Sequence, residues 1–297
     1  MNFFTSRRSF LMLSPLSLIG ASSLNACVAA HSNTIDHVHM RLRRRLRFSL
    51  SFHNPSSKNL GRQLFWCYLP FNSGSQILQD LKVSVPYRLH TDNLGQNILE
   101  IEFPVAHSHF QKVVNLEVQV EFLKTSSNQS NLLSSSWLQP ERFIETSDLK
   151  IIDLARALRS TSDKKTIENI YDWVISNVKY AGYTPDDFGA LHALEEKSGD
   201  CTEYAYLVVA LARVNLIPSR MIGGYLTLND VSPVPRDYHN WAEVFLTGNW
   251  EIVDSQKGHF LPNIGMYTGF EVYRHPSINM MDGAHRYRLN GTLLVNM

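Results

Sequence analysis

The sequence predicts an α+β protein whose front part is all-β and sandwich-like and whose back part mixes helices with strands. Two patterns carry the prediction. Short runs of alternating apolar and polar residues, at 41–50, 98–103 and 114–120, are separated by turn-rich stretches such as His53-Asn54-Pro55 and Asp92-Asn93-Leu94-Gly95. After residue 145 the apolar spacing changes to a helical period, in Leu149, Ile152, Ala155 and Leu158 and again in Ile167, Ile170, Tyr171, Val174 and Val178. With 297 residues, 44% of them hydrophobic and 19% charged, the chain has material for two domains with cores of their own. A formal net charge of +1 argues against nucleic acid as a partner.

Residues 1–27 read as an export signal and 28–40 as a tether. Ser6-Arg7-Arg8-Ser9-Phe10-Leu11 resembles the twin-arginine export motif, with Arg7 and Arg8 as its basic pair. The apolar stretch at 10–24 is too short and too rich in serine for a comfortable membrane span. Leu24-Asn25-Ala26-Cys27 resembles a bacterial lipobox, with Asn25 standing where a small residue is usual. That resemblance implies cleavage before Cys27, diacylation of its thiol, and a membrane partner held through the lipid anchor. The expected location is the periplasmic face of the cell envelope. Val28 is not the aspartate that resembles an inner-membrane retention signal, which favours the outer membrane.

Residues 41–125 are the β-sandwich-like domain, and the polar run around 125–136 opens a linker assigned to 126–144. If the first run is a strand, Arg41, Arg43, Arg45 and Arg47 share one face, while Leu42, Leu46 and Phe48 point inward with Arg44 among them. Two readings of that face are open: a solvated strand face, or a contact with anionic lipid headgroups or wall polymer close to the anchor. Cys67 lies in the apolar run Leu64-Phe65-Trp66-Cys67-Tyr68-Leu69 and reads as a small core residue, so no structural disulfide is expected. His37-x-His39 and His107-x-His109 lack an acidic or thiol partner nearby and read as surface histidines; neither a metal nor a cofactor is expected.

The domain assigned to 145–297 carries the chemistry. In Ser198-Gly199-Asp200-Cys201-Thr202-Glu203, Asp200 and Glu203 have capping-box spacing, and residues 207–212 are apolar on all sides, as in a buried helix. Arg213 in the last turn, Asn215 as a left-handed cap and Pro218 beyond would end that helix. Cys201 then occupies the first turn, where free N–H groups and the dipole favour thiolate and thiols titrate at about 3.5 to 7.5. His239 opens the alternating run His239-Asn240-Trp241-Ala242-Glu243-Val244-Phe245, and Asp254 closes Trp250-Glu251-Ile252-Val253-Asp254. A four-residue hairpin loop at 246–249 would pair Phe245 with Trp250 and Trp241 with Asp254, placing Asp254 on the face of His239. A slip of one residue would send it to the other face. The three residues form a candidate Cys-His-Asp triad.

Several blocks then fall in a familiar order. Gly199-x-Cys201, Tyr204-Ala205, Leu211-Ala212-Arg213, Ile217-Pro218-Ser219-Arg220, Gly224-Tyr225, the His239 run and Trp250-x-x-x-Asp254 look like the transglutaminase-like core of the papain-type cysteine enzymes. Tyr171-Asp172-Trp173-Val174 and Val178-Lys179-Tyr180 are similar to that core as well, and residues 41–125 loosely resemble the β domain that often precedes it. The expected fold is thus a papain-like transglutaminase core preceded by an all-β sandwich-like domain. The resemblance implies Cys201 as nucleophile, His239 as general base and later acid, and Asp254 as the group that orients the imidazole.

The expected function is an exported, cysteine-dependent amide-bond enzyme acting through a thioester on Cys201. Water as the acceptor makes it a peptidase or amidase, and an amine makes it a transglutaminase-type acyltransferase. Its partner is a protein or peptide substrate, cell-wall peptide included. The Cys201 N–H is the expected first oxyanion donor; no upstream glutamine stands at the papain-type distance, so Tyr180 or Tyr183 is the candidate for the second. The proline-bearing loop at 229–238 ends at His239 and is expected to wall the cleft, with Arg236 and Tyr238 touching substrate and Trp241 packing beneath. A plain connecting loop is the competing reading. A catalytically silent domain of the same fold, used for protein binding or as a cell-surface scaffold, is the alternative to an enzyme.

Overall fold

In the computed structural model of the chain, residues 42–123, 135–274, 281 and 286–297 are described. Arg7, Arg8, Cys27, the tether, Arg41, the pair His37 and His39, and the 126–134 part of the linker lie outside the described residues.

The alternating runs become two antiparallel sheets around one apolar core. The strands are β1 (Leu42–His53), β2 (Gln63–Leu69), β3 (Gln76–Val83), β4 (Arg88–Thr91), β5 (Asn97–Phe103) and β6 (Gln111–Phe122). On β1 the period of two is visible in burial: Leu46, Phe48, Leu50 and Phe52 face inward to meet Phe65, Ile98, Ile101, Val114, Leu116 and Val118. Arg43 and Arg47 alternate outward. They lie opposite Glu121 and Glu117 of β6 and pair with them, each at 2.8 Å, while Lys82 also reaches Glu117 at 3.4 Å. The described part of the arginine face is therefore a mixed-charge lattice. Arg44 turns the other way and donates through Nε to the Thr227 carbonyl, 2.5 Å away.

The helical patterns give α1 (Leu149–Leu158), capped by Asp148, and α2 (Asp163–Asn177), capped by Ser162. The parallel pair β7 (Lys179–Tyr180) and β8 (Ser198–Gly199) flanks α3 (Ala190–Glu196) and leads into α4 (Cys201–Val214). Every residue from Thr202 to Arg213 is buried, so α4 is the central element of the domain. It packs against a five-stranded antiparallel sheet built from β9 (Ser219–Leu226), β10 (His239–Leu246), β11 (Asn249–Asp254), β12 (His259–Phe260) and β13 (Tyr267–Val272). The sheet order is β12-β11-β10-β9-β13. No helix among the described residues is long and apolar enough to cross a membrane.

Four details depart from the sequence reading. The chain does not stay in one domain to its end: β14 (Tyr287–Asn290) pairs with β2, and β15 (Leu294–Asn296) pairs with β1. Both cover edges of the sandwich sheets that would otherwise present unpaired backbone groups, so the 145–297 assignment runs too far. The β10–β11 loop is only Thr247 and Gly248, both at positive φ (48° and 90°), because Leu246 still pairs with Asn249. The loop shortens symmetrically, so Phe245 remains opposite Trp250 and the register survives. At the end of α4, Leu216 takes the left-handed conformation (φ 63°), while the Asn215 side chain is buried, donating to the carbonyls of Ala155 and Leu211. Arg213 does more than end the helix: its buried guanidinium pairs with Glu141 at 2.8 Å and donates to the Ser219 carbonyl at 2.9 Å.

Candidate active site

The turn into α4 is built around the capping box. The Asp200 carboxylate accepts the Thr202 N–H at 2.7 Å, and the Glu203 carboxylate accepts the Asp200 N–H at 3.0 Å and the Phe188 N–H at 3.0 Å. Gly199 lets this turn close, since a Cβ there would come within 2.4 Å of Glu203 Cβ. Burial pushes the Glu203 acid up to about 6 against those two N–H donors. Cys201 follows as the first helical residue, half-buried, its sulfur hydrogen-bonded by the Asn240 N–H.

The helix start does not yield a depressed thiol. Burial and the charge of Asp200 push Cys201 up to about 11, outweighing the hydrogen bonds from Asn240 and Thr202. The correction has a physical reason: the sulfur is removed from water beside a carboxylate that the capping box itself requires.

His239 begins β10, opposite Gly224 of β9, and is buried. Its Nε2 meets Asp254 Oδ2 at 2.7 Å, as the hairpin register demands. Asp254 is also buried, and burial opposes its charge. Even so its carboxyl is held below the usual range by the His239 hydrogen bond and charge, by the Tyr267 hydroxyl at 2.7 Å and by the Lys257 N–H at 3.0 Å. Asn240, next in the strand, donates through Nδ2 to Thr202 Oγ1 at 2.9 Å. One residue thus ties the histidine strand to the cysteine helix twice, by backbone to the sulfur and by side chain to the next residue of the helix.

Cys201 and His239 line one cleft of about 730 Å³ together with Tyr180, Tyr183, Arg236 and Tyr238. Tyr180 is brought there by the parallel pairing of β7 with β8, which sets it beside Gly199, two residues before the cysteine. Its phenol is raised, first by burial and then by the nearby charges of Cys201 and Asp200. Tyr183 is exposed on the cleft's rim. Tyr238 contributes its ring to the wall, but its hydroxyl is turned inward: it donates to the buried Glu271 at 3.2 Å and fills the space over Gly223, where a Cβ would approach it within 2.3 Å. Trp241 does not reach the cleft at all. It is buried, stacked against the His239 ring with centres 6.3 Å apart and tilted against Tyr267 at 4.9 Å, and it lines a separate cavity of about 300 Å³. Its place among the cleft candidates is corrected, and only its packing role stands.

The 229–238 loop is held to the sandwich. Val231 exchanges backbone hydrogen bonds with Arg47 N–H (3.0 Å) and the Arg45 carbonyl (2.9 Å), and Asp230 accepts the Arg45 N–H at 2.9 Å. A loop stapled in this way is a wall.

Sequence reasoning missed Tyr267 and His259. Tyr267 shares Asp254 Oδ2 with the imidazole, and its oxygen meets His259 Nδ1 at 2.6 Å. It comes from β13, at the far side of the sheet from β11, and no spacing in the sequence links it to Asp254. Asn240 and Thr202 were visible only as neighbours of His239 and Cys201.

Geometry and ancestry now meet. The transglutaminase-like superfamily model matches residues 152–255, a span that begins in α1 and ends one residue past Asp254. Residues 152–255 are a transglutaminase-like superfamily domain. Among solved structures, a protein of Cytophaga hutchinsonii provisionally named a cysteine protease is similar at 18% identity with a TM-score of 0.56, over 87% of this chain and 90% of that one. The periplasmic domain of TgpA from Pseudomonas aeruginosa is similar at 17% identity with a TM-score of 0.41, over 69% of this chain and 72% of that one. No curated protein matches the sequence. The likeness to the Cytophaga protein is one of fold, and it extends beyond the transglutaminase-like domain into the β region in front of it.

Proposed function

We propose that the chain is an exported cysteine-dependent amide-bond enzyme, a peptidase or amidase or a transglutaminase-type acyltransferase, with Cys201, His239 and Asp254 as its triad. The observation that carries this reading is the double tie of Asn240 to Cys201 and Thr202, with His239 beside it bonded through Nε2 to a charged Asp254. With the proton of the ring held on Nε2 by the carboxylate, Nδ1 is left as the basic nitrogen. The thiol is neutral at rest, so its proton passes to Nδ1 as sulfur attacks the amide carbonyl, rather than before. The carbonyl electron pair moves onto oxygen, where the Cys201 N–H and the Tyr180 hydroxyl are the candidate donors. As the tetrahedral species collapses, the C–N bond breaks and the imidazolium gives its proton to the leaving amine. The thioester is then opened by water or by a second amine, with His239 taking the attacker's proton.

Export rests on Arg7 and Arg8, and a lipid anchor on Cys27, as read from the sequence. The alternative, a silent binding module of the same fold, draws on one observation: the thiol sits well above neutrality. Labelling with a thiol-reactive amide probe separates the two. The enzyme reading expects covalent labelling that disappears in Cys201→Ala and slows strongly in His239→Ala. Mass spectrometry of products with and without an added amine then assigns hydrolysis or transfer. Labelling indifferent to His239 would remove the triad.

A further inference from the structure

The cleft beside Cys201 is unusual in its charge. Arg43, Arg47, Arg62, Arg88, Arg213 and Arg220 each meet a carboxylate. Arg236, Lys257 and Arg286, which line the cleft, have no carboxylate partner among the described residues. Two acids also line it: Asp200, which accepts the N–H groups of Thr202 at 2.7 Å and Thr184 at 3.1 Å, and Asp237, which accepts that of Val234 at 2.9 Å, so three cations face two carboxylates.

Arg286 is also held in place. Its guanidinium lies 4.3 Å from the centre of the Tyr238 ring and donates to the Pro235 carbonyl at 3.0 Å. Behind that ring lies Glu271, buried and with no ion pair to the guanidinium among the described residues, its acid pushed upward by burial. A guanidinium held in place has lost the freedom it would otherwise give up on binding a carboxylate, and Arg236 and Lys257 add positive charge in the same concave site.

We propose that this cleft selects an anionic acyl donor: a peptide-like substrate with a free carboxylate near the amide that Cys201 attacks. The assignment deepens the amide-bond reading and rests on it. Arg286 is the positioned anchor, with Arg236 and Lys257 on the open rim.

The experiment compares two alkylating agents on the full chain, iodoacetate and iodoacetamide. Both form one S–C bond at Cys201, expel iodide and release the thiol proton, and they differ in carrying a carboxylate or a neutral amide. Mapping the modified peptide by mass spectrometry against Cys201→Ser removes any contribution from Cys27 and Cys67. The rate ratio of iodoacetate to iodoacetamide is expected to fall by about tenfold in Arg286→Gln combined with Arg236→Gln and Lys257→Gln, and to fall likewise with rising salt in the wild type. Arg286→Lys, which keeps the charge, retains most of the ratio, and circular dichroism confirms that the variants fold. In a second arm, a glutamate-bearing peptide amide slows alkylation at concentrations where its glutamine twin does not. An unchanged ratio in the neutralised variant, or equal protection by the two peptides, overturns the proposal while a slow His239→Ala leaves the amide-enzyme reading intact. Alkylation insensitive to His239→Ala overturns that reading, and the substrate assignment with it.

Discussion

Asp254 is buried and Cys201 half-buried, yet they are held in opposite states. Asp254 keeps its charge because three donors converge on it: His239 Nε2, the Tyr267 hydroxyl and the Lys257 N–H. Cys201 receives the Asn240 N–H and a hydrogen bond from the Thr202 side chain, but desolvation and the carboxylate of Asp200 outweigh them, so its neutral form prevails. Burial penalises charge in both places, and the number and sign of the neighbours decide which group bears it. Of the two, Asp254 therefore bears the negative charge and Cys201 does not.

The largest expected effect comes from removing that charge. Asp254→Asn should lower turnover, or the His239-dependent labelling of Cys201, by roughly 10³- to 10⁴-fold, since an amide no longer dictates which imidazole nitrogen holds the proton. Single-turnover kinetics would show it; a loss of only a few fold would mean that the carboxylate is a packing element. The thiol provides the next test. With a midpoint near 11, the thiolate absorbance of Cys201, taken as wild type minus Cys201→Ser, should be almost absent at neutral pH and grow only in strong alkali. A thiolate already formed near neutrality would reverse the comparison.

Tyr267→Phe deletes one of Asp254's donors and keeps the ring that packs on Trp241. A hydrogen bond to a charged group is worth about 1.5 to 3 kcal/mol, so activity should drop by about tenfold or more. The acidic limb of the pH–rate profile should move upward, because a less-solvated carboxylate holds the imidazole proton more tightly. A drop in stability with an unmoved profile would leave Tyr267 as a structural residue only. The smallest effect is a stability term at Glu203. Its acid is raised from an ordinary value of 4.5 to about 6, so the folded chain binds more protons than the unfolded one between those values. Its stabilising contribution is full below about 4.5 and is lost as pH rises through about 6, by up to about 2 kcal/mol. In denaturant titrations across that window the wild type should lose up to about 2 kcal/mol relative to Glu203→Gln, which has no proton to release, as pH rises.

How much of this was legible in the sequence depended on the range of the interaction. The capping box of Asp200 and Glu203 is local, spaced by three residues, and was readable together with α4. The meeting of His239 with Asp254 followed from a hairpin register that a change of loop length left untouched. Tyr267 was unreadable because its hydroxyl reaches Asp254 from a strand that joins the sheet on the opposite side. The arginine run was read as one strand face, and its neutralisation waited on Glu117 and Glu121, supplied by β6 some seventy residues later. Cys201 is the instructive failure: its place at a helix start was right, but the dipole argument omitted the desolvation and the Asp200 carboxylate that come with that place.

The two last strands carry a consequence for biogenesis. A segment synthesised after residue 286 closes sheets whose first strands were made before residue 70. During synthesis the front half waits with open edges while the whole transglutaminase-like domain is laid down, and neither sheet is finished until that stretch has left the ribosome. Closure over so long a separation is slow, and exposed edges recruit unwanted partners in the interval. A chain that had to fold before export would need a holding chaperone for that interval, and one exported unfolded would postpone the hazard to the far side of the membrane.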